Sequence, residues 1–407
     1  MKVLVVADAY PPEIRSASDL MSELAEELNA RGHQVSVLTS YPAYNLAHDS
    51  LGKHFDECMN EGGITVIRVR TLPHHKVNYL VRGVAQITMP YLFLRTLQKY
   101  QKGRFDIVLV YSPPLTLAKI GRVLKRSQKS RFILNVQDIF PQNAIDLGAL
   151  NNPAIIAFFE KMEKKAYDSA DVIAVHSEGN RRFLIANKKI QDTEKLRVLH
   201  NWIDVDSISS STHETDYRKR YGLVGKFIYL FAGVVGPSQG LDIIIDIAQQ
   251  AAVHKDIVFL IVGDGMERQR LEKQTVSKGL KNVVFRPFIP KKEYVSLVRS
   301  VDVGIVSLTS KNKTPVVPGK ILGYMAGSKP VLAFLNKESD GNDLIKTARC
   351  GVSELSDSSV DRLVEVTLDL YRRRTELEQI GKNGHDYVAK MFSKKMCIDK
   401  LETFFSD

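Results

Sequence analysis

Two charged residues in this chain combine useful chemistry with a place where a fold can present it. Lys320 lies in Val316-Val317-Pro318-Gly319-Lys320-Ile321-Leu322-Gly323-Tyr324-Met325-Ala326, within the first turn of a predicted helix that proline suits as a start. A lysine there opposes the helix dipole, and a bound anion would reverse the penalty. Asp138, in Gln137-Asp138-Ile139-Phe140-Pro141, directly follows the apolar run 132–136, where a carboxylate can orient or accept a hydroxyl proton. A plainer account stands beside each: a solvated lysine, and an acid that caps a loop or helix.

Weaker signals surround these two. Gly233-Val234-Val235-Gly236-Pro237-Ser238-Gln239-Gly240 lets backbone approach a phosphate, with Gly236 and Gly240 in the turn and Gln239 as a donor. It lacks the third glycine of a dinucleotide fingerprint and the Gly-Lys-Ser/Thr of a Walker loop, so a flexible turn also accounts for it. Gly265 closes a second short loop, Gly263-Asp264-Gly265, and Phe285-Arg286-Pro287-Phe288 could hold a nucleotide base or simply pack. Near the start, Tyr10-Pro11-Pro12-Glu13 precedes Arg15 and Ser16 at a helix N-terminus, a place that favours anions; a rigid capped turn is the alternative.

The elements that must position these residues alternate along the chain. Val3–Val6, Val35–Leu38, Ile107–Val110, Phe132–Val136 and Val172–Val175 read as buried strands. Ser16-x-x-Asp19 reads as a capping box before a helix carrying Leu20, Leu24 and Leu28, and Leu92–Lys102 and Ala154–Ala170 also read as helices. A second series holds strands Phe227–Phe231, Ile257–Val262, Val283–Phe285, Val303–Val306 and Pro330–Phe334, with helices near Leu241–Ala252, Lys320–Ala326 and Ser393–Phe405. This βαβ alternation predicts two doubly wound α/β domains, joined through the polar stretch Asp204–Thr215, with a ligand at the carboxyl ends of their strands in a cleft between them.

Composition narrows the field. The 407 residues are 44% apolar and 25% charged, ordinary for a globular protein and too long for one typical domain. Three scattered cysteines argue against a disulfide framework and a zinc site, and fit a reducing compartment. No uncharged apolar run reaches membrane-spanning length, and the first residues read as a strand, with no cleavage-site pattern. Residues 64–131 hold fourteen Lys and Arg against one acid, Asp106, in a chain of net charge +11. That excess predicts an anionic partner, and Tyr91-Leu92-Phe93-Leu94 beside Arg95 and Lys99 is a candidate docking helix for an anionic membrane surface; a core-packed helix with a solvated basic face is the other reading.

The order of motifs resembles glycosyltransferase family 4. It runs from Tyr-Pro-Pro-Glu through Ala30-Arg31-Gly32-His33, Gln137–Pro141, Asn201-Trp202-Ile203-Asp204, the Gln239-Gly240 loop and Gly263–Gly265 to Pro318-Gly319-Lys320 with Tyr324-Met325-Ala326. It is most similar to the branch adding fucosyl or N-acetylfucosaminyl-type sugars to bacterial surface polysaccharides. The resemblance implies a GT-B fold of two Rossmann-like domains: 1–205 for the acceptor, 206–385 for the nucleotide sugar, and a C-terminal helix over 386–407 packing back on the first domain. It implies a retaining transfer of a hexosyl or N-acetylhexosaminyl group from a nucleoside-diphosphate donor, expected to be UDP-linked, to a lipid-linked saccharide. It implies no cofactor or metal, no nucleic acid, and a cytoplasmic place on the inner face of the membrane. In its terms Asp138 and Lys320 are catalytic. Gly236, Gln239, Gly240, Gly265, Arg286, Phe288, Gly319 and Lys320 bind donor, and Glu13, Arg15 and Ser16 lie on the acceptor side.

Several positions depart from the family pattern. Val234 and Gln239 stand where many members carry Arg and Lys, and Arg15 and Ser16 replace glycines. Pro315 and Gly323 replace the two glutamates of a Glu-x7-Glu pair, the second of which usually binds ribose. A sugar-nucleotide epimerase on the same fold, and a non-catalytic partner of an active transferase, are the competing readings.

Overall fold

The computed structural model describes residues 1–46, 50–187, 190, 192–209 and 215–406. The chain forms two compact units, Met1–His200 with Cys397–Asp407, and Asn201–Met396.

In the first unit the chain runs β1 (Lys2–Val6), α1 (Ser16–Ala30), β2 (Gln34–Ser40), β3 (Cys58–Glu61), β4 (Ile64–Val69), α2 (Tyr79–Tyr100), β5 (Ile107–Ser112), α3 (Ala118–Gln128), β6 (Arg131–Val136), α4 (Gln142–Asp146), α5 (Pro153–Ser169), β7 (Val172–Val175) and β8 (Leu196–Val198). The sheet order is β3-β4-β2-β1-β5-β6-β7-β8, parallel except for the β3–β4 pair. The central strands are unbroken apolar runs because helices cover both faces of a parallel sheet; all six residues of β5 are buried. β1 pairs with β2 on one side and β5 on the other, so the connections diverge there and open a crevice at the carboxyl edge.

One expectation fails in this unit and another is extended. The capping box does not form: α1 begins at Ser16, its N-cap is Arg15 in extended geometry, and no side-chain hydrogen bond caps it. The Arg15 side chain is engaged elsewhere, as shown below. The helix expected at Leu92–Lys102 is α2, which starts thirteen residues earlier, where the Asn78 side chain accepts from the Val81 N–H at 2.9 Å. That longer helix buries Phe93 and half-buries Leu92 and Leu94 against the core, so Tyr91-Leu92-Phe93-Leu94 is not an exposed docking face. The exposed apolar stripe of α2 is Val81, Val84, Ile87 and Tyr91.

Residues 64–131 likewise form no single basic face. Arg68 is buried and ion-paired with Glu61, Lys99 pairs with Glu57 at 2.6 Å, Lys125 with Asp171 at 2.7 Å, and Arg131 donates to the Phe404 carbonyl at 2.6 Å. Acids outside the segment thus pair with three of its fourteen cations.

The second unit holds β9 (Phe227–Ala232), β10 (Ile257–Val262), β11 (Val283–Arg286), β12 (Val303–Ser307), β13 (Val331–Leu335) and β14 (Gly351–Leu355). Their order β11-β10-β9-β12-β13-β14 is all parallel, the third-second-first-fourth-fifth-sixth order of a dinucleotide-binding sheet. Its switch point lies between β9 and β12, and the loops leaving these strands carry Gly233–Gly240 and the approach to Lys320.

Of the polar stretch Asp204–Thr215, residues 205–209 are helical and 210–214 lie outside the described residues. Near it, Ile203 pairs with Ser393 in a bridge, Ile203 N–H donates to the Phe392 carbonyl at 2.9 Å and Lys394 pairs with Asp204 at 2.8 Å. The helix Leu377–Met391 thus ends inside the second unit. From Cys397 the chain belongs to the first, where Ile398, Leu401, Phe404 and Phe405 are buried and Arg31 reaches Asp399 and Glu402 at 2.6 Å each.

Candidate functional site

At the switch point of the second unit, two loops are bound to each other. The Thr309 N–H donates to the Ser238 carbonyl at 3.0 Å, and the Ser307 hydroxyl to the Gln239 carbonyl at 2.6 Å. This fixes the turn 237–239, which Gly240 closes at φ +57°. The loop after β10 docks on it by backbone alone: Val235 N–H donates to the Asp264 carbonyl, and a Cβ at Gly265 would lie 2.3 Å from the Val235 oxygen.

Lys320 enters this frame from the helix Gly319–Ala326. Its Nζ donates to Gln239 Oε1 at 2.9 Å and lies 5.0 Å from the Phe231 ring centroid. Gly233, at φ +141°, leaves the room: a Cβ there would meet Lys320 Cε at 2.7 Å. Among the described residues no acid pairs with this lysine. Burial pushes its ammonium down to about 8, since a neutral amide and a ring face stand where bulk water would be. A half-buried cation with only neutral partners, at a helix N-terminus, is arranged for an anion.

The other donor-side expectations fare unevenly. Arg286 adjoins this edge: its carbonyl accepts from the Gly263 N–H at 3.1 Å and its guanidinium stacks on Tyr221. Phe288 is exposed, with no ring partner among the described residues. Gly236 and Gly319 have ordinary backbone geometry; a Cβ at Gly319 would meet nothing within 4 Å, leaving its face open. Gly323 has a packing reason, because a Cβ there would stand 2.7 Å from the Tyr294 hydroxyl. A glutamate at that position would have to displace Tyr294.

In the first unit, Asp138 follows β6 at the carboxyl edge of the sheet. It does not cap α4, whose N-cap is Pro141 without a side-chain bond. Its carboxylate is reached by solvent and has no hydrogen-bond donor or ion-pair partner among the described residues. Crowding by the surrounding protein raises its pKa above the usual carboxylate range, which makes it a better proton acceptor. Beside it at the end of β5, the Tyr111 phenol is raised by burial and by the Asp138 charge, and eased by Arg15.

The acceptor-side residues form a different constellation. Buried Glu13 accepts from the Ala43 and Tyr44 N–H groups at 3.0 Å each, so its carboxylate holds a turn. Arg15 donates to Asp8 at 3.2 Å and to His75 Nε2 at 3.3 Å; Ser16 is exposed at the start of α1. Asp8, His74 and His75 complete the cluster and were not singled out in the sequence. Asp8 accepts from Ser40 at 2.9 Å and faces His74 Nε2 at 3.0 Å, while His74 Nδ1 faces the Leu72 carbonyl at 3.0 Å. Asp8 and the Leu72 carbonyl both accept, so the site suits a proton on each ring nitrogen, the charged form of His74. Burial opposes that charge, but the Asp8 bond and charge win and raise its pKa. His75, pressed by burial and by the His74 charge, is lowered to about 4 and stays neutral; its ring stacks on Tyr44 at 4.5 Å. Ligand atoms of Asp8, His74 and His75 lie within 4.8 Å of one another, as in a metal site, but the Arg15 guanidinium already bridges Asp8 and His75. A metal ion would have to expel it.

Asp8 lies two residues beyond β1, but 66 residues separate it from His74. The usable signal was position: a polar residue at the carboxyl end of the first strand of a doubly wound sheet.

Comparison with known proteins bears on the family and the fold. Residues 18–202 match the family model described as a glycosyl transferase 4-like domain, and residues 226–372 that of glycosyl transferases group 1. The chain is 24% identical over 346 residues to the colanic acid biosynthesis glycosyl transferase WcaI of Escherichia coli, covering 80% of this chain and 81% of that one. It is 26% identical to a GDP-mannose-dependent alpha-mannosyltransferase of Mycobacterium tuberculosis, covering 86% and 83%. Among solved structures, sucrose-phosphate synthase of Thermosynechococcus elongatus superposes with a TM-score of 0.77 at 14% identity, covering 100% of this chain and 98% of that one. Anabaena HepE in complex with UDP-glucose superposes with a TM-score of 0.72 at 17% identity, covering 100% and 99%.

Proposed function

We propose, from the premise that this chain belongs to glycosyltransferase family 4, that it moves a hexosyl or N-acetylhexosaminyl group from a UDP-linked donor to a lipid-linked saccharide in surface polysaccharide synthesis, with retention at the anomeric carbon. One observation carries the donor half: Lys320, hydrogen-bonded among the described residues only to a neutral amide, at a switch-point helix N-terminus. A diphosphate there accepts from Lys320, from Gln239 and from open backbone N–H groups at Gly319, with Gly240 and Gly265 keeping both loops close. Negative charge growing on the leaving diphosphate meets the same ammonium and dipole. Arg286 and Phe288 flank the base. On the acceptor side Asp138 orients the attacking hydroxyl or takes its proton.

Glycosyltransferase relatives and the two matching family models favour transfer over epimerisation or a non-catalytic role. UDP is preferred because HepE binds UDP-glucose, whereas the mycobacterial relative uses GDP-mannose. The metal-free reading rests on Arg15 bridging the one cluster of metal-type ligands among the described residues. No described helix is long and apolar enough to cross a membrane; a lipid-linked acceptor would bring the enzyme to the inner face of the cell membrane. The test is a panel of UDP-, GDP- and dTDP-sugars with a polyprenyl-linked saccharide, read by nucleotide release and by the anomeric coupling of the product. Acceptor-dependent release of UDP with a retained anomer supports the proposal. Release without acceptor, or an inverted product, removes it.

A further inference from the structure

The first unit contains a cavity of about 350 Å³, the size of a small-ligand pocket, on the far side of an aromatic contact from Asp138. Its walls come from α2, α3 and α5. Ile87, Pro90, Leu115, Phe158, Met162 and Ala166 make it apolar. Three of its neighbours on two helices are unusually open for large apolar side chains: Ile87 at 41%, Tyr91 at 59% and Phe158 at 48% exposure. Scattered exposed apolar residues need no explanation, but these border one concavity.

Around it stand four cations: Lys119, Arg122, Lys161 and Lys165. None pairs with an acid among the described residues, in contrast to Arg68, Lys99 and Lys125 of the same unit. Lys119 lies 3.3 Å from the Tyr91 ring centroid, its contact an aromatic face and hydroxyl. Inside, the Thr116 hydroxyl is buried without a hydrogen-bond partner among the described residues.

The cavity also has a direction. Phe158 packs on Phe159 at 5.3 Å between centroids, and Phe159 packs edge-on against Phe140 at 4.9 Å. The Phe140 N–H donates to the Asp138 carbonyl at 3.0 Å. One aromatic layer therefore separates the cavity wall from the Asp138 loop.

We propose that this cavity binds the anchor of the acceptor, a single hydrocarbon chain ending in phosphate. The chain lies along Ile87, Pro90, Phe158 and Met162, and its phosphate rests on the Lys119, Arg122, Lys161 and Lys165 cluster. The attached sugar then extends past Phe140 to Asp138. The proposal rests on the acceptor being lipid-linked, as read above. A volume of this size suits one chain, and four cations without acid partners among the described residues suit its phosphate.

The test is calorimetric titration of the full chain with farnesyl phosphate, farnesol and inorganic phosphate, beside co-sedimentation with phosphatidylglycerol vesicles. One farnesyl phosphate per chain should bind at least tenfold more tightly than either half alone. K161E/K165E, both exposed, should weaken farnesyl phosphate at least tenfold while leaving farnesol unchanged; Phe158→Glu should weaken both. Equal binding of farnesyl phosphate by wild type and K161E/K165E overturns the assignment. So does vesicle binding without saturable binding of soluble farnesyl phosphate, which would make the patch a membrane contact. A chain that transfers sugar but fails these titrations sinks this inference alone. A chain that binds farnesyl phosphate yet releases no nucleotide with any donor and acceptor sinks the transferase reading instead.

Discussion

The two units present charge at the carboxyl edges of their sheets in opposite ways. In the first, Asp8, Glu13, Arg15 and His74 are matched with one another and with backbone groups, so the cluster is balanced before any substrate arrives. In the second, Lys320 has a neutral amide and a ring face. A balanced cluster stiffens the loops that hold it, while a cation with neutral partners retains unspent attraction for an anion. Asp138 belongs with Lys320 in this respect, although it sits on the first unit.

The comparison breaks most visibly through Asp138. Asp138→Asn should lower turnover by about 10²–10⁴-fold and leave donor affinity nearly unchanged. Near-normal turnover would leave the first unit without a reacting group. Next in size, Lys320→Ala should weaken UDP by about 1.5–3 kcal/mol, the range for a charge-assisted bond, and uridine hardly at all; calorimetry on both ligands separates the two. The wild-type affinity for UDP should also fall above pH 8, because the free lysine loses its proton at about 8 and the diphosphate must restore it. A flat profile from pH 7 to 10 would mean that the ammonium does not meet the phosphates.

Glu13→Ala should show the opposite signature. It orphans the Ala43 and Tyr44 N–H groups, so it should cost about 1–3 kcal/mol in a denaturant melt while kcat/KM of the folded fraction stays close to normal. The last effect is a pH slope from His75. Unfolded, this imidazole takes its proton near 6.5; folded, only at about 4. Stability should therefore fall as pH drops from 6.5 to 4, by at most ~1.4 kcal/mol per unit. His75→Gln should flatten that slope. His74, raised in the folded state, acts in the reverse sense and loses its contribution as pH climbs above its own folded value.

Strands were the most legible part of the sequence, because a parallel sheet covered on both faces leaves unbroken apolar runs such as 257–262. The Lys320 edge was legible too: Gly233, Gln239 and Lys320 stand where strands pass into helices, and the structure joins all three. The acceptor edge was not. Glu13 looked available because the turn whose N–H groups saturate it comes from residues 43–44, and His74 reaches Asp8 across 66 positions that no local pattern spans. The Phe93 segment misled for another reason: four consecutive apolar residues on a helix point to different sides, and only Tyr91 faces outward.

The return of residues 397–406 to the first unit has a consequence for synthesis. Arg31 meets Glu402 across 371 positions, so this unit is completed by a segment made after the whole of the second. At 5–20 residues per second, the intervening stretch of about 200 residues occupies a ribosome for roughly 10–40 s. Throughout that interval the surface later covered by Ile398, Leu401, Phe404 and Phe405 stays uncovered, and Arg31 and Arg131 wait for their acceptors. A fragment ending at residue 200 would remain in that state permanently, a sticky apolar patch ringed by cations.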